Sequence, residues 1–134
     1  MKADQIIPVL RIFDYQKALE FYRDWLGFEV IWEHHFAENT PVYMEIKKEN
    51  IIFHLSEHHG DGTPGSRIFI WGEGIVGYYK KLTEKPYKYN NPALEKAFYD
   101  AVCFQVYDPF GNVIIFNEKY DEIEHKDLEF YSIH

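Results

Sequence analysis

The hydrophobic pattern of residues 1–27 predicts one strand followed by one helix. Residues 6–13, IIPVLRIF, are rich in β-branched side chains and predict a strand, with Pro8 tolerated near its start or on a sheet edge. Asp14 then occupies an N-cap position, and Gly27 stands where a helix that ends in the left-handed conformation favours glycine. Between them, apolar residues recur at helical spacing: Ala18, Leu19, Phe21, Tyr22, Trp25 and Leu26.

Three further strands are predicted before residue 58. In FEVIWEHHF, residues 28–36, alternation places one set of side chains on a common face: Phe28, Val30, Trp32, His34 and Phe36. The runs VYMEIKK, residues 42–48, and IIFHLSE, residues 51–57, follow as two strands joined by a tight turn at residues 48–50. The first half therefore has the predicted order βαβββ.

The second half repeats this order. The strand SRIFIW, residues 66–71, leads to the helix GIVGYYKKL, residues 74–82, and then to the strands YKYN, AVCFQVY and NVIIFNE, which begin at residues 87, 101 and 112. Asp108–Asn112, DPFGN, supplies a hairpin turn because proline fixes φ early and Gly111 accepts the positive φ that closes it. Phe21 aligns with Tyr78 at an offset of 57 and Glu57 with Glu118 at an offset of 61, as a duplicated module with a loop insertion would leave.

The predicted organisation is a single domain over residues 1–134. Its parts are a first module over residues 5–57, a crossover loop over 58–65, a second module over 66–119 and an acidic tail over 120–134. With 46% hydrophobic and 19% aromatic residues the chain can bury a substantial core.

Charge and cysteine content exclude several classes of partner. The 14 Lys and Arg residues against 22 Asp and Glu residues give a formal charge of -8, which repels nucleic acid and anionic membrane surfaces but tolerates a cationic or neutral small molecule. Cys103 is the single cysteine, so no internal disulfide can form, and no run is long enough for a signal peptide or a membrane span. A cytoplasmic location is the expectation.

The segment from Ile51 to Ile70, IIFHLSEHHGDGTPGSRIFI, concentrates residue types that bind metals. Its candidates are His54, Glu57, His58, His59 and Asp61. Alternation puts His54 on the strand face opposite the apolar residues 51, 53 and 55, where it either contacts a ligand or forms structural hydrogen bonds. Loop histidines this close in sequence rarely form a closed tetrahedral site, and hydrogen bonds that fix the crossover are the competing interpretation.

Two motifs carry a resemblance to a known family. FYRDWLGFEV after the first strand and DPFGN before the last, within paired βαβββ modules, are similar to the vicinal oxygen chelate superfamily, and the likeness covers roughly residues 6–119. That superfamily includes glyoxalase I, extradiol dioxygenases, and fosfomycin and bleomycin resistance proteins. The chain most resembles the bleomycin-resistance branch. The resemblance implies an α+β fold in which two tandem βαβββ modules form a cup-shaped mixed sheet with helices on the outer face.

The metal-binding positions implied by this resemblance are mostly filled by other residue types. The first-strand position falls at Ile7 or Pro8, and the fifth-strand position at Arg67 or Ser66. The last-strand position, where metal-dependent members carry glutamate, is Ile115. His54 alone has a ligand side chain, whereas a catalytic site needs about three protein ligands, so we expect no metal and no other cofactor.

Without a metal, the resemblance implies an antibiotic-resistance protein that sequesters a small molecule without transforming it, with two sites in a homodimer. The ligand would be planar or cationic, a bleomycin-like antibiotic being one candidate, held in an aromatic cleft. The candidate binding residues are His54, Arg67, Trp32, Phe36, Tyr43, Phe69, Trp71 and Tyr99. The alternatives are a glyoxalase-like lyase or isomerase that uses a divalent metal through His54, and a small-molecule sensor.

Overall fold

The computed structural model describes residues 1–85, 87–130 and 132–133, and for the last two the backbone alone. The first module contains β1 (Val9–Arg11), α1 (Tyr15–Ala18) with a π-helical continuation (Leu19–Trp25), β2 (Glu29–His35), β3 (Val42–Lys48) and β4 (Ile51–Ser56). The second contains β5 (Arg67–Trp71), α2 (Ile75–Glu84), β6 (Glu95–Ala97), β7 (Ala101–Tyr107) and β8 (Val113–Lys119), followed by α3 (Glu122–His125) and β9 (Ser132–Ile133).

The chain divides into two compact units. Unit 1 combines Met1–Ser66 with Asp108–Asn112, and unit 2 combines Arg67–Tyr107 with the described part of Val113–His134. Each unit holds one mixed sheet, in the order β1-β4-β3-β2 in unit 1 and β5-β8-β7-β6-β9 in unit 2. The predicted α+β architecture of two tandem βαβββ modules is therefore confirmed.

In unit 1 the helical segment covers one side of the sheet. Asp14 accepts a hydrogen bond from the Lys17 N–H at 2.9 Å and so caps α1, and Gly27 has φ 87°, both as predicted. The aromatic ring of Tyr22 contacts Phe53 on β4 edge-on, with 6.5 Å between centroids. The fully buried side chains on this side are Leu10, Ile12, Phe21, Tyr22, Leu26, Met44, Ile46, Phe53 and Leu55.

The turn Asp108–Asn112 belongs to unit 1 although it lies in the second half of the sequence. The Tyr22 hydroxyl donates to Asp108 Oδ2 at 2.7 Å, and Asn112 Nδ2 donates to the Arg11 carbonyl at 2.9 Å. Burial raises the pKa of Asp108 even though the hydrogen bonds from Tyr22 and Asn112 oppose the shift. These side-chain bonds hold the turn against α1 and β1.

In unit 2 the helix α2 packs on one side of its sheet. Tyr78 contacts Phe116 on β8 at 5.3 Å and Tyr79 contacts Phe104 on β7 at 5.5 Å between ring centroids. The acidic tail joins the same unit, because His125 Nε2 lies 2.7 Å from Glu118 Oε2 on β8. In the part of the chain that the structure describes, none of the helices is both long and apolar enough to span a membrane.

Three local predictions were wrong. The strand predicted over residues 6–13 is confined to Val9–Arg11, since Pro8 has no N–H to donate and Asp14 caps the next helix. A β-bulge between Val30 and Trp32 interrupts the predicted alternation: Val30 pairs with the buried Ile46, whereas Trp32 pairs with Glu45 on the opposite side.

The third wrong prediction was a strand at YKYN, residues 87–90, which form a turn. The side chain of Asn90 explains the difference. Its Nδ2 donates to the Tyr107 carbonyl at 2.7 Å and its Oδ1 accepts from the Tyr107 N–H at 2.9 Å. The amide thereby satisfies the backbone groups of Tyr107 that a neighbouring strand would otherwise pair with, and β6 begins only at Glu95.

Candidate functional site

Unit 1 presents a polar face on the side of its sheet opposite the helix-covered core. Strand register aligns the side chains of this face in two rows across the four strands. One row contains Val9, His54, Glu45 and Trp32, and the other contains Arg11, Ser56, Tyr43 and His34. Of the residues predicted from sequence, Trp32, Tyr43 and His54 are brought together here.

A hydrogen-bonded chain of three side chains lies at the centre of the polar face. His54 Nε2 is 3.0 Å from Glu45 Oε1, and His54 Nδ1 is 2.7 Å from the Tyr43 hydroxyl. Burial raises the pKa of Tyr43 and the negative charge of Asp61 raises it further, so the hydroxyl keeps its proton. Because the Glu45 carboxylate can only accept, we assign Nε2–H as its donor, which leaves Nδ1 of a singly protonated ring to accept from the Tyr43 hydroxyl.

Aromatic rings surround this chain. Trp32 stacks on Tyr43 with 5.9 Å between centroids and an interplanar angle of 11°, and it meets His54 edge-on at 5.3 Å. Trp32 is 41% exposed, so one face of its indole remains accessible to a ligand. Phe36 lies apart from the stack, with its ring against His34 at 4.3 Å and His58 at 5.0 Å.

The crossover loop is fastened to the end of β4 by hydrogen bonds. Ser56 Oγ donates to Asp61 Oδ2 at 2.9 Å and accepts from the His58 N–H at 3.0 Å. Gly62 passes so close to β1 that an added Cβ would lie 2.8 Å from the Val9 carbonyl oxygen. The interpretation that this loop fixes the crossover by hydrogen bonds is thus supported for Asp61 and for the backbone of His58.

Unit 2 presents an aromatic face on the side of its sheet opposite α2. Phe69, Trp71 and Tyr99 contact one another, with centroid distances of 5.5 Å from Phe69 to each of the other rings and 5.9 Å between Trp71 and Tyr99. Phe69 and Trp71 are 48% and 55% exposed. Three of the predicted binding residues therefore form a cluster with accessible ring surface.

Polar groups fix Tyr99 at the edge of this cluster. Its hydroxyl donates to Asn117 Oδ1 at 2.7 Å, while Asn117 Nδ2 donates to the backbone carbonyls of Ile70 and Ile115. Burial and a hydrogen bond with Cys103 raise the pKa of Tyr99 to about 12, against a smaller lowering by the positive charge of Arg67. Arg67 thus acts electrostatically on the cluster that it was predicted to join.

The floor of the aromatic face is apolar. Cys103 is buried as a free thiol, and burial raises the pKa of that thiol. Around it pack Ala97, Ala101, Val113 and Ile115, with Tyr99 against their edge.

A groove of about 940 Å³ runs along the same unit, and its lining includes Trp71 and the Glu118–His125 pair.

The positions implied for a metal do not form a ligand set in unit 1 or unit 2. Both ring nitrogens of His54 are engaged by Tyr43 and Glu45, so a metal bond would have to displace one of these partners. Among the described residues, the group with metal-ligand spacing is Glu118, Glu124 and His125, with candidate ligand atoms within 4.8 Å of one another.

The hydrogen bonds of His125 argue against a metal at this second group. Its Nδ1 accepts from the Asp121 N–H at 2.8 Å, so the neutral ring carries its proton on Nε2, which faces Glu118 at 2.7 Å. A metal at Nε2 would require that proton to move to Nδ1, where the Asp121 N–H already points. The group instead anchors α3 to β8, while Glu118 Oε1 also accepts from the first N–H of α2.

Glu45 and Arg11 lie on the polar face but were not predicted from the sequence. Glu45 was identifiable in principle, because alternation in VYMEIKK places it with Tyr43 on the face opposite the apolar residues 42, 44 and 46. Arg11 had no such signal. Its burial depends on the packing around β1, and sequence spacing says nothing about that packing.

Each sheet contains the strands of one βαβββ module, and the sheet of unit 2 also contains β9 from the tail. Residues 1–123 match the family described as glyoxalase superfamily protein, and the chain belongs to that family. It is 28% identical over 130 residues to a bleomycin resistance protein of Geobacillus stearothermophilus, a match covering 84% of this chain and 94% of that protein.

Solved structures share the fold. A bleomycin-binding protein complexed with bleomycin is 16% identical with a TM-score of 0.66, and the match covers 87% of this chain and 99% of that one. An antibiotic-binding protein from Streptomyces sp. CB03234 is 17% identical with a TM-score of 0.62, covering 89% and 99%. Both likenesses extend over nearly the whole of each compared chain and show that the fold is shared.

Proposed function

We propose that this chain is a metal-independent binding protein that sequesters a planar or cationic antibiotic-like molecule on its aromatic side chains. The observation that carries the proposal is the pair of exposed ring clusters, Trp32 with Tyr43 in unit 1 and Phe69 with Trp71 and Tyr99 in unit 2. Partly exposed aromatic rings held in fixed orientations offer stacking surface at little entropic cost. The names of the relatives described above agree with this proposal.

Charge supports a cationic ligand. The formal charge of -8 favours approach of a cation, and tryptophan and tyrosine faces attract cations at short range.

We also propose that the protein acts as a homodimer, because large apolar side chains such as Phe69, Trp71 and Phe98 stay 48%, 55% and 82% exposed in one chain. Sedimentation of the purified protein tests the dimer, and a monomer at micromolar concentration would contradict it.

Tryptophan fluorescence tests ligand binding and locates it. The chain has three tryptophans: Trp25 is buried at 3% exposure, and Trp32 and Trp71 report on one unit each. We expect bleomycin to quench the wild-type emission saturably and without consumption of the drug. Trp32→Phe and Trp71→Phe should each remove the part of the quenching that arises in their own unit.

A matched control is Ile123→Ala, which truncates an 87% exposed apolar side chain on α3 and should bind as the wild type does. The proposal fails for this ligand if quenching does not saturate, or if quenching persists unchanged when both Trp32 and Trp71 are replaced. Conversion of the drug to a product would show an enzyme rather than a sequestering protein.

A further inference from the structure

Arg11 is a buried cation with two side-chain donor nitrogens that lack partners among the described residues. The residue is 9% exposed, and its Nε and Nη1 atoms are buried with no hydrogen-bond partner among the described residues. The guanidinium carbon Cζ lies over the ring of Phe13, 4.7 Å from the ring centroid. A ring face attracts the charge but accepts none of the in-plane N–H groups that form the guanidinium fork.

This arrangement is unfavourable unless an anion completes it. Arginine stays protonated in proteins, so burial cannot be relieved by loss of the charge. A buried charge without a counterion costs free energy, whereas an oxyanion that accepts from one of the unpaired donors offsets part of that cost. Asp61, on the adjoining loop, directs its Oδ2 to Ser56, the strand partner of Arg11.

The backbone of Arg11 contacts Ser56 on one side and Asn112 on the other. These contacts fix the position of the Cα atom from which the side chain extends. Arg11 pairs with Ser56 across β1 and β4, and its carbonyl accepts from Asn112 Nδ2 at 2.9 Å. The neighbouring Ile12 N–H donates to the Ser56 carbonyl at 2.9 Å. A side chain on so constrained a strand loses little further freedom when it binds a ligand.

His58 carries the other buried side-chain atom without a partner among the described residues, its Nε2. It lies at the same end of the unit 1 sheet as Arg11, because the His58 N–H bonds to Ser56 Oγ. Among the described residues, the unsatisfied buried side-chain nitrogens thus belong to Arg11 and His58. Arg11 is the strand partner of Ser56, and the His58 N–H donates to Ser56 Oγ. Unsatisfied buried polar groups are few in folded proteins, and an absent ion or ligand is one explanation for them.

We propose that Arg11 is the anchor of an oxyanion site on the polar face of unit 1, which takes the carboxylate or phosphate group of a small molecule. Nε–H and Nη1–H lie on different edges of the guanidinium, so the anion accepts from one of them, and His58 Nε2 supplies a further contact. The site shares the polar face with Tyr43, but its test uses inorganic anions and does not require the planar ligand proposed above. Failure of bleomycin binding would leave it intact.

Unfolding midpoints in defined anions test the site. The thermal midpoint is measured against increasing inorganic phosphate and, separately, acetate, with ionic strength held constant by chloride. We expect a saturable rise for wild type, no rise for Arg11→Met, and for Arg11→Lys a dissociation constant about tenfold weaker, because lysine keeps the charge but lacks the fork. Arg23→Met, which removes a surface arginine paired with Asp24, should respond as wild type does.

The two anions distinguish the chemistry. A rise in phosphate alone assigns a phosphoryl ligand, and a rise in acetate alone assigns a carboxylate. The proposal is overturned if neither anion raises the wild-type midpoint, or if Arg11→Met responds equally. If Arg11→Met does not fold, the NMR resonance of the Arg11 Nε–H in the wild type decides. It can be assigned because the chain has only three arginines. The proposal requires this resonance to shift with the anion while that of Arg23 does not.

Discussion

The polar face of unit 1 and the aromatic face of unit 2 share a backbone plan and differ in chemistry. His54 pairs with Val9 and Glu45 in one sheet, and Ile115 pairs with Phe69 and Gln105 at the matching positions of the other. Ser56 corresponds in the same way to Asn117, and Arg11 corresponds to Trp71. The two sheets therefore share the same strand pairing. In unit 1 the paired positions hold a hydrogen-bonded chain of side chains, and in unit 2 they hold a ring cluster packed on apolar residues.

The difference shows how little of a site is dictated by its fold. Strand pairing fixes which positions share a face, but side-chain chemistry at those positions is free to change. In unit 1 the polar groups satisfy one another, as in Glu45–His54–Tyr43. In unit 2 the matching positions hold Gln105, Ile115 and Cys103, and the last two contribute to an apolar cluster.

Exchanging the central residues should give the largest effect. Ile115→His places a ring in a cluster that offers it no charged partner, and Ile115 is 5% exposed, so we expect a loss of about 3 kcal/mol in the free energy of unfolding. His54→Ile should cost only about 1 kcal/mol, since Glu45 and Tyr43 keep some access to water. Denaturant unfolding of both variants measures the asymmetry, and equal costs would contradict the comparison.

A second pair compares Asn117 with Ser56. Asn117→Ala leaves the Tyr99 hydroxyl and two backbone carbonyls without their partner in a fully buried site, and should cost about 2 kcal/mol. Ser56→Ala removes the bonds to Asp61 and His58 and should cost about 1 kcal/mol, because the loop can turn to water. Chemical denaturation checks the order, which the opposite ranking would refute.

Alkaline pH should destabilise the aromatic face. The pKa of Tyr99 is raised from 10.0 to about 12 in the folded protein, so the folded state retains a proton that the unfolded chain loses. The resulting stability is complete below about pH 10 and is lost as the pH rises through 12. Cys103, whose pKa is also raised, adds a loss of the same sign from about pH 9.

Tyr99→Phe should therefore lose less stability than wild type between about pH 10 and 12. Unfolding curves collected across this range measure the slope. Some slope should remain, because burial also raises the pKa of Tyr22 and Tyr78. An unchanged slope in Tyr99→Phe would show that Tyr99 ionises equally in both states.

Glu45→Gln should have the smallest effect, since it gives unit 1 the amide that unit 2 carries at Gln105. The amide oxygen still accepts from His54 Nε2–H, but the bond is no longer charge-assisted, so we expect a loss below about 1 kcal/mol. The His54 Nε2–H resonance should persist with a changed shift. Its disappearance would mean that the ring had changed tautomer, and Glu38→Gln on the exposed surface is the control.

Regular features of the fold were predictable because each has a local cause. Asp14 begins α1 through its own side chain, Gly27 ends the helical segment with a positive φ, and Gly111 closes the turn before β8. The bulge after Val30 was not predictable, because alternation assumes one residue per pairing step. The same holds for Asn90, whose side chain replaces a strand through a contact with a residue 17 positions away.

Within the candidate site, strand alternation and the repeat identified the aromatic residues and His54. These two patterns could not identify the polar partners of those residues. The Glu45–His54 bond depends on the register of two strands, and the uncompensated charge of Arg11 depends on how a whole unit packs. Residue types that form sites can be read locally, whereas the satisfaction of their hydrogen bonds is a property of the tertiary structure.

The placement of the turn Asp108–Asn112 in unit 1 has a consequence for biosynthesis. This turn supplies hydrogen-bond partners for the Tyr22 hydroxyl, the Arg11 carbonyl and the Ser66 N–H. Because the ribosome adds residues in order, unit 1 stays incomplete until residue 112 has emerged, long after β4 is made. Residues 1–66 can therefore complete these hydrogen bonds only after the turn has been synthesised.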